Sequence, residues 1–268
     1  MPQESITDTS RPNAGRIYDY ILGGNHNFEV DRKAGDQLVT LLPTMPKAFR
    51  MQRWCLQDVA KELTEKRSYD TIVDFASGLP TNDHIHTVVP KGTKVIYSDW
   101  DPVVVEYARD ILKDTPNVYF FHADARHPEE LLNRPEIKEI LGENRDIAII
   151  AWGLALFLTD EDIARTAKSL HDWAGAKSCW AFFCQGADMD LNDPGFAKTA
   201  KIYEQMGSKL NVRDLTRFQE LLKPWRADEK GYIPFLEWHG LDLTFLKDEP
   251  DKQAWGKAGG GYGVYLVK

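Results

Sequence analysis

The stretch Val73-Asp74-Phe75-Ala76-Ser77-Gly78-Leu79-Pro80-Thr81 decides the fold. A short apolar run, Thr71–Phe75, carries an acidic residue near its end and breaks into a turn with glycine and proline. Such a run reads as a buried strand, and such a turn lets backbone approach a ligand closely. The same design returns twice. Residues 94–98 lead into Asp99-Trp100-Asp101-Pro102, and residues 118–121 lead into His122-Ala123-Asp124-Ala125. Asp74, Asp99 and Asp124 stand 25 residues apart each time. That pitch is one strand, one crossover helix and their loops, which predicts three carboxylates along one edge of a parallel sheet.

Working outward, residues 146–151 and 179–184 read as two more strands. Helical stretches lie at 82–89, 102–113, 128–141 and Asp160–Trp173. The runs are apolar throughout rather than alternating, as in strands covered on both faces. After Gln185 the pattern is irregular, then helical at 194–206 and 213–222, with strand-like 241–245 and 263–267 at the end. A late pair joined as a hairpin would be antiparallel. Before the sheet, helices are predicted at 14–22 (capped by Asn13, ended by Gly23-Gly24), 29–42 and 47–65. The expected architecture is a Rossmann-like α/β three-layer sandwich, with a mostly parallel seven-stranded sheet and an antiparallel last strand. Residues 1–65 read as a helical block ahead of the sheet, and residues 66–268 carry the sheet and its ligand-binding edge.

Composition bounds the function. The 268 residues are 43% apolar and 28% charged, which excludes disordered and fibrous classes. Thirty-three basic against forty-one acidic residues give a net charge of −8, which argues against a nucleic-acid partner. The three cysteines (Cys55, Cys179, Cys184) form no CxxC pair, so neither a disulfide framework nor a metal site is expected. Residues 1–12 are polar, unlike a signal peptide, and the apolar run 147–158 falls short of the ~20 residues that span a bilayer. A cytoplasmic protein without membrane contact is expected.

Ligands of such sheets bind outside the carboxyl ends of the strands. There the turn of Ala76, Ser77, Gly78 and Thr81 offers close backbone approach. Asp99 is placed to accept both ribose hydroxyls of a nucleoside, and Trp100 offers a flat face to adenine. Asp124 is placed to accept from the adenine amine, and the Ala125 amide to donate to a ring nitrogen. Asp101 reads as the cap of the following helix. Ala76, Gly78 and Thr81 stand where a dinucleotide site has three glycines, so a pyrophosphate nest is missing. An adenosine bearing a sulfonium amino acid needs less phosphate cradle.

This arrangement resembles motif I and the ribose- and adenine-binding acidic residues of class I S-adenosylmethionine-dependent methyltransferases. The segment Arg11-Pro12-Asn13-Ala14-Gly15-Arg16-Ile17-Tyr18-Asp19-Tyr20-Ile21-Leu22-Gly23-Gly24, followed by Asn27-Phe28 and Asp31-Arg32, sharpens the likeness. It is similar to the signature of a bacterial methyltransferase family, abundant in actinomycetes and long classed as a domain of unknown function. The likeness runs from about Arg11 to Lys268. It implies S-adenosyl-L-methionine as cofactor and residues 1–65 as a helical lid over it on the methyltransferase domain of residues 66–268, with Arg16, Tyr20, Gly23, Gly24 and Asn27 near its methionine end. Arg53 matches an arginine suited to the cofactor carboxylate. Asp74, Trp152 and Gly153 complete the expected cofactor set.

The chain departs from that family at Ala76, where glycine is usual. It also lacks the histidine usual near Ala155-Leu156-Phe157, and has Cys184-Gln185 in place of Ser-His. The usual general-base candidates are thus missing and no catalytic residue is assigned; Asp188, Tyr203, Glu237 and His239 are the remaining acid–base candidates. His84 and His86 are expected to face solvent or cap a helix. Trp152, Trp225, Trp238 and Trp255 would make an aromatic wall around a cationic or planar acceptor. The leading expectation is a methyltransferase acting on a small molecule. The alternatives are intramolecular cyclisation of the cofactor with release of methylthioadenosine, a non-catalytic cofactor-binding module, and a nicotinamide oxidoreductase.

Overall fold

The computed structural model describes residues 10–81, 83–187, 189, 194–238 and 259–268. The chain enters through helices α1 (Ala14–Ile21), α2 (Glu29–Leu41) and α3 (Met45–Lys61). It then alternates through β1 (Thr71–Phe75), β2 (Lys94–Asp99), α4 (Pro102–Leu112), β3 (Val118–His122), α5 (Pro128–Leu132), α6 (Pro135–Leu141), β4 (Ala148–Ala151), α7 (Asp160–Trp173) and β5 (Cys179–Gln185). Helices α8 (Pro194–Gln205) and α9 (Leu215–Leu221) and strands β6 (Arg226–Ala227), β7 (Ile233–Pro234) and β8 (Gly261–Val267) follow.

The strands form one sheet in the order β3-β2-β1-β4-β5-β8-β6, with β7 also on β8. Strands β1 to β5 are parallel, and β8 runs antiparallel beside β5. This is the expected Rossmann-like α/β sheet. Its order reverses between β1 and β4, which opens a crevice at the carboxyl ends of those strands. β6 and β7 pair with the two ends of β8, antiparallel to it, and Gly231 (φ +67°) lies between them. They are two pieces of one edge strand, too short to show in the sequence pattern. Residues 241–245, expected as a strand, lie outside the described residues.

Alternate side chains leave each strand on opposite faces. Val73, Phe75, Ile149 and Phe182 join one core with α5, α6, α7 and α9. Ile72, Val95, Ile150 and Phe183 join the other with α3 and α4. Helix α3 is therefore a layer of the sandwich, although its sequence lies within the segment expected as a lid. A third core (Ile17, Ala34, Leu38, Met45, Tyr203) joins α1, α2 and the start of α3 to α8.

Two expected helices differ. The stretch 128–141 splits because Pro135 begins a new helix and holds Arg134 extended (ψ 145°). Of the stretch 82–89, within the described residues 83–89 only Ile85–Thr87 coils, as a single 3₁₀ turn. Of the two places expected for His84, solvent or a cap, it takes the second: it is fully buried and its side chain caps the turn. Its Nδ1 accepts from the Ile85 amide (2.9 Å) and lies 2.9 Å from the Tyr97 hydroxyl. That leaves the proton on Nε2, which donates to the Ser77 carbonyl (3.1 Å) and braces the turn after β1.

Candidate functional site

A cavity of about 820 Å³ opens at the carboxyl ends of the strands and runs under α1, α3 and α8. Sheet register decides which aspartate reaches it. Paired residues on β1 and β2 differ by 23 in number (Ile72 with Val95), as do those on β2 and β3 (Val95 with Val118). A 25-residue pitch therefore moves each carboxylate two residues further out while keeping it on the same face of the pleat. Asp74 lies within β1 opposite Tyr97, Asp99 ends β2 opposite His122, and Asp124 lies beyond β3. Asp99 and Asp124 line the cavity; Asp74 does not, so the expectation of one common edge is corrected. Asp74 is 2% exposed, its Oδ2 has no hydrogen-bond partner, and burial, opposed by Arg53, holds its pKa well above the usual range.

Ala76, Ser77 and Gly78 line the cavity beside Asp99. Gly78 (φ +66°) has nothing within 4 Å of where a Cβ would stand, so its face toward the cavity is open. Ala76 takes the same left-handed region (φ +53°) without being glycine, at a cost of about 1–2 kcal/mol. Asp99 accepts from the Gly78 amide (3.1 Å) and the Asp101 amide (2.9 Å). Burial pushes its pKa up to about 6, although those backbone bonds pull it down. Were ribose hydroxyls to donate to the carboxylate, as expected from the sequence, they would favour its ionised form, and binding would expel a proton whenever the free site is protonated. Nucleoside affinity is expected to be flat above about pH 7 and to weaken by up to about tenfold per unit below pH 6. Calorimetry from pH 5 to pH 8 checks this; constant affinity across that window contradicts it.

Trp100 lines the cavity with 58% of its surface exposed, an uncovered flat face where adenine was expected. Asp124 and Ala125 also line it. Asp124 is clamped by Arg126, whose Nε lies 2.9 Å from both carboxylate oxygens. Burial raises the Asp124 pKa, but the Arg126 contacts outweigh it and hold the group below its usual value. Arg126 itself was not anticipated as a cavity residue.

At the other end, Arg53 on α3 is 4% exposed and lines the cavity. Its Nε makes no hydrogen bond, the Asp83 Oδ1 is 3.7 Å away, and its guanidinium lies 5.4 Å from the Tyr18 ring centre. A buried cation so weakly paired suits an anionic ligand group. Trp152 and Gly153, after β4, line the same wall. Met45, Phe49, Gln52 and Leu56 share a helical face with Arg53 and also line the cavity; the i, i+4 spacing from Arg53 was the available signal.

The N-terminal signature lies elsewhere. Arg16, Tyr20, Gly23, Gly24, Asn27 and Thr81 do not line the cavity, which corrects their expected place near the ligand. Arg16 is 2% exposed and donates to Asp31 (2.9 Å), Asp101 (2.9 Å) and the Arg11 carbonyl (2.7 Å). Asp31 also accepts from the Asn13 and Phe28 amides. Asn27 and the His26 amide donate to Asp19, whose carboxylate fills the space a side chain at Gly24 would need. Tyr20 packs on Gly35 and donates to Asp36, and Gly23 (φ +87°) ends α1. Thr81 turns its hydroxyl to Asp83. The helical face carrying Arg16 and Tyr20 thus faces α2, while Tyr18 faces the cavity.

Of the acid–base candidates, Tyr203 lines the cavity, buried, with its pKa pushed up to about 12 by burial. Glu237 is exposed and outside the wall; Asp188 and His239 lie outside the described residues. The tryptophan wall is also revised. Trp152 lines the cavity and stacks on Phe183, and Trp238 packs behind it at 5.3 Å. Trp225 is buried in the opposite core, and Trp255 lies outside the described residues. Among the described residues no cluster of three or more His, Cys, Asp or Glu side chains is set to hold a metal, and no helix is long and apolar enough to cross a membrane.

A family model described as S-adenosyl methyltransferase matches residues 1–262. The chain belongs to the S-adenosyl methyltransferase family. Its cofactor is S-adenosyl-L-methionine. This methyltransferase is similar in structure to a protein from Thermobifida fusca YX designated a candidate methyltransferase (TM-score 0.83, 26% identity, 97% of this chain and 96% of that one). It is also similar to a DUF574 family protein from Streptomyces avermitilis MA-4680 (TM-score 0.84, 23% identity, 97% and 99%). Magnesium protoporphyrin IX methyltransferase from Synechocystis PCC 6803, solved with bound S-adenosylhomocysteine, shares the fold (TM-score 0.54, 11% identity, 94% and 93%). No curated protein matches the chain. The residues present fit the cofactor. The open Gly78 cradle, the buried Asp99 and the underpaired Arg53 supply complements to a nucleoside and an amino-acid carboxylate.

Proposed function

We propose that this methyltransferase acts on a small-molecule acceptor held in the same cavity as its cofactor. The observation that supports the reading is continuity: the wall that begins at Trp100 and Asp124 runs past Arg53 and Trp152 to Tyr203 under the cap. In this reading Asp99 takes the ribose hydroxyls, and Trp100 and Ala125 flank the adenine, whose amine donates to Asp124. The turn of Ala76, Ser77 and Gly78 passes the nucleoside closely. Arg53 holds the carboxylate, with Trp152 and Gly153 beside the methionine arm. Arg16, Tyr20, Gly23, Gly24 and Asn27 act at one remove, by locking α1 onto α2.

When bound, the cofactor supplies a methyl group on a sulfonium, open to in-line displacement. What the protein must add is alignment and exclusion of water. Arg53 at one end and Asp99 at the other fix the cofactor lengthwise. Helices α1 and α8 roof the site. Incubating pure protein with cofactor alone, then with extract fractions split by size, tests the proposal. S-adenosylhomocysteine is expected only with the low-mass fraction. Methylthioadenosine released without acceptor, or label entering macromolecules, overturns it.

A further inference from the structure

From the methionine arm onward, where Trp152 and Tyr18 stand, the cavity is lined by aromatic pairs. Tyr18 and Phe49 lie 4.6 Å apart between ring centres, Phe157 and Tyr203 5.7 Å, and Trp152 and Phe183 5.1 Å. All six rings line the cavity, with Leu156, Phe196 and Leu210 between them. They come from α1, α3, α8 and the ends of β4 and β5, so the aromatic lining is gathered from several elements.

Among the described residues this lobe presents no buried charge beyond Arg53. Among the described residues the charged side chains lining the whole cavity are Arg53, Asp99, Asp124, Arg126, Asp162 and Lys209. Asp99, Asp124 and Arg126 stand at the nucleoside end. Asp162 caps α7 through Thr159 and pairs with Arg165. Lys209 is exposed. An ionic acceptor would lose its hydration here without a partner. A cationic one would in addition face the Arg53 guanidinium and the positive sulfonium, which offsets the attraction of the aromatic faces. Besides Arg53, three polar side chains that line the cavity are left unpaired: the Trp152 Nε1, Gln185 Oε1 and Thr199 Oγ1 are buried without a hydrogen-bond partner.

We infer that the acceptor is a flat, uncharged aromatic molecule that carries at least one hydrogen-bond donor. The inference rests on the cofactor placement proposed above. The ring system lies between the aromatic pairs, where burial and edge or offset stacking hold it. Its donor satisfies an oxygen that the protein leaves unpaired, which fixes the ring in its plane. Among the described residues, the tryptophans anticipated as a wall contribute only Trp152 to this set, and phenylalanine and tyrosine make the rest.

The test uses full-length protein loaded with S-adenosylhomocysteine at pH 7, and calorimetry with three probes that share one ring system. The probes are 2-naphthol, 2-naphthoate and 2-naphthyl-trimethylammonium. The naphthol is expected to bind at least about tenfold tighter than either ion. Phe157→Arg is expected to abolish naphthol binding and to keep S-adenosylhomocysteine affinity within about twofold. Should that variant also lose the nucleoside, Leu210→Arg, at a half-buried position, is read instead. An ion that binds as tightly as the naphthol overturns the inference, as does absence of any probe binding to protein that holds S-adenosylhomocysteine. Naphthol binding unchanged in the arginine variant overturns it as well. Failure of wild-type protein to bind S-adenosylhomocysteine has a different meaning: the cofactor placement falls, and the acceptor inference with it.

Discussion

Asp99→Asn is expected to weaken S-adenosylhomocysteine binding by roughly ten- to hundred-fold while leaving the protein as stable as the wild type, or more so. The loss follows from the chemistry of the contact. A hydrogen bond to a charged group contributes about 1.5–3 kcal/mol, and in the proposed placement the ribose offers two hydroxyls to this carboxylate. The stability follows from burial. Asp99 is 7% exposed and its pKa is pushed up to about 6, above the ordinary carboxylate value. A carboxyl group whose folded pKa is raised favours the fold below its unfolded pKa of about 3.9. It loses that contribution as pH rises through about 6, so above pH 6 the ion is a burden on the folded state. Asparagine removes the burden and keeps an acceptor for the Gly78 or Asp101 amide. Calorimetry and thermal melts at pH 8 read both quantities. Unchanged affinity contradicts the placement of the ribose.

Arg16→Ala is expected to be the most destabilising single change outside the sheet, by about 3–5 kcal/mol, or a fall of roughly 10 °C in Tm. The cause is what it leaves behind. Asp31 is 0% exposed and Asp101 7%, and each loses its guanidinium partner at 2.9 Å. Two buried carboxylates without a cation cost far more than the pair itself contributes. Asp101 also caps α4 and donates its amide to Asp99, so nucleoside affinity is expected to fall with the stability. Arg16→Lys restores the charge but not the fork that reaches both aspartates, and partial rescue is expected. Denaturant unfolding of the three proteins decides it; a change under about 1 kcal/mol in the alanine variant contradicts the lock.

The sheet was legible because each central strand is a short apolar run, and β1 and α7 were read residue for residue. What misled was register. A 25-residue pitch looks like alignment until the strands are seen to pair at 23, which sinks Asp74 into the sheet and lifts Asp124 beyond it. The split between α5 and α6 had a visible signal in Pro135, a second helix-starting proline. The two-residue strands β6 and β7 had none. The signature around Arg16 was read as ligand contact because it is rich in charge and glycine. Its partners, Asp31 and Asp101, lie 15 and 85 residues away, and no local pattern joins them. Arg53 was found by resemblance, and its neighbours on α3 followed by helical spacing only once the helix was placed.

The central claim is that the cofactor lies across the ends of β1, β2 and β3 with its carboxylate toward α3. A crystal structure with S-adenosylhomocysteine bound tests it most directly. The expected result is ribose hydroxyls within hydrogen-bond distance of Asp99, adenine against Trp100 with its amine toward Asp124, and the carboxylate on Arg53. A nucleoside bound elsewhere, or in this cavity with its ribose away from Asp99, would contradict it.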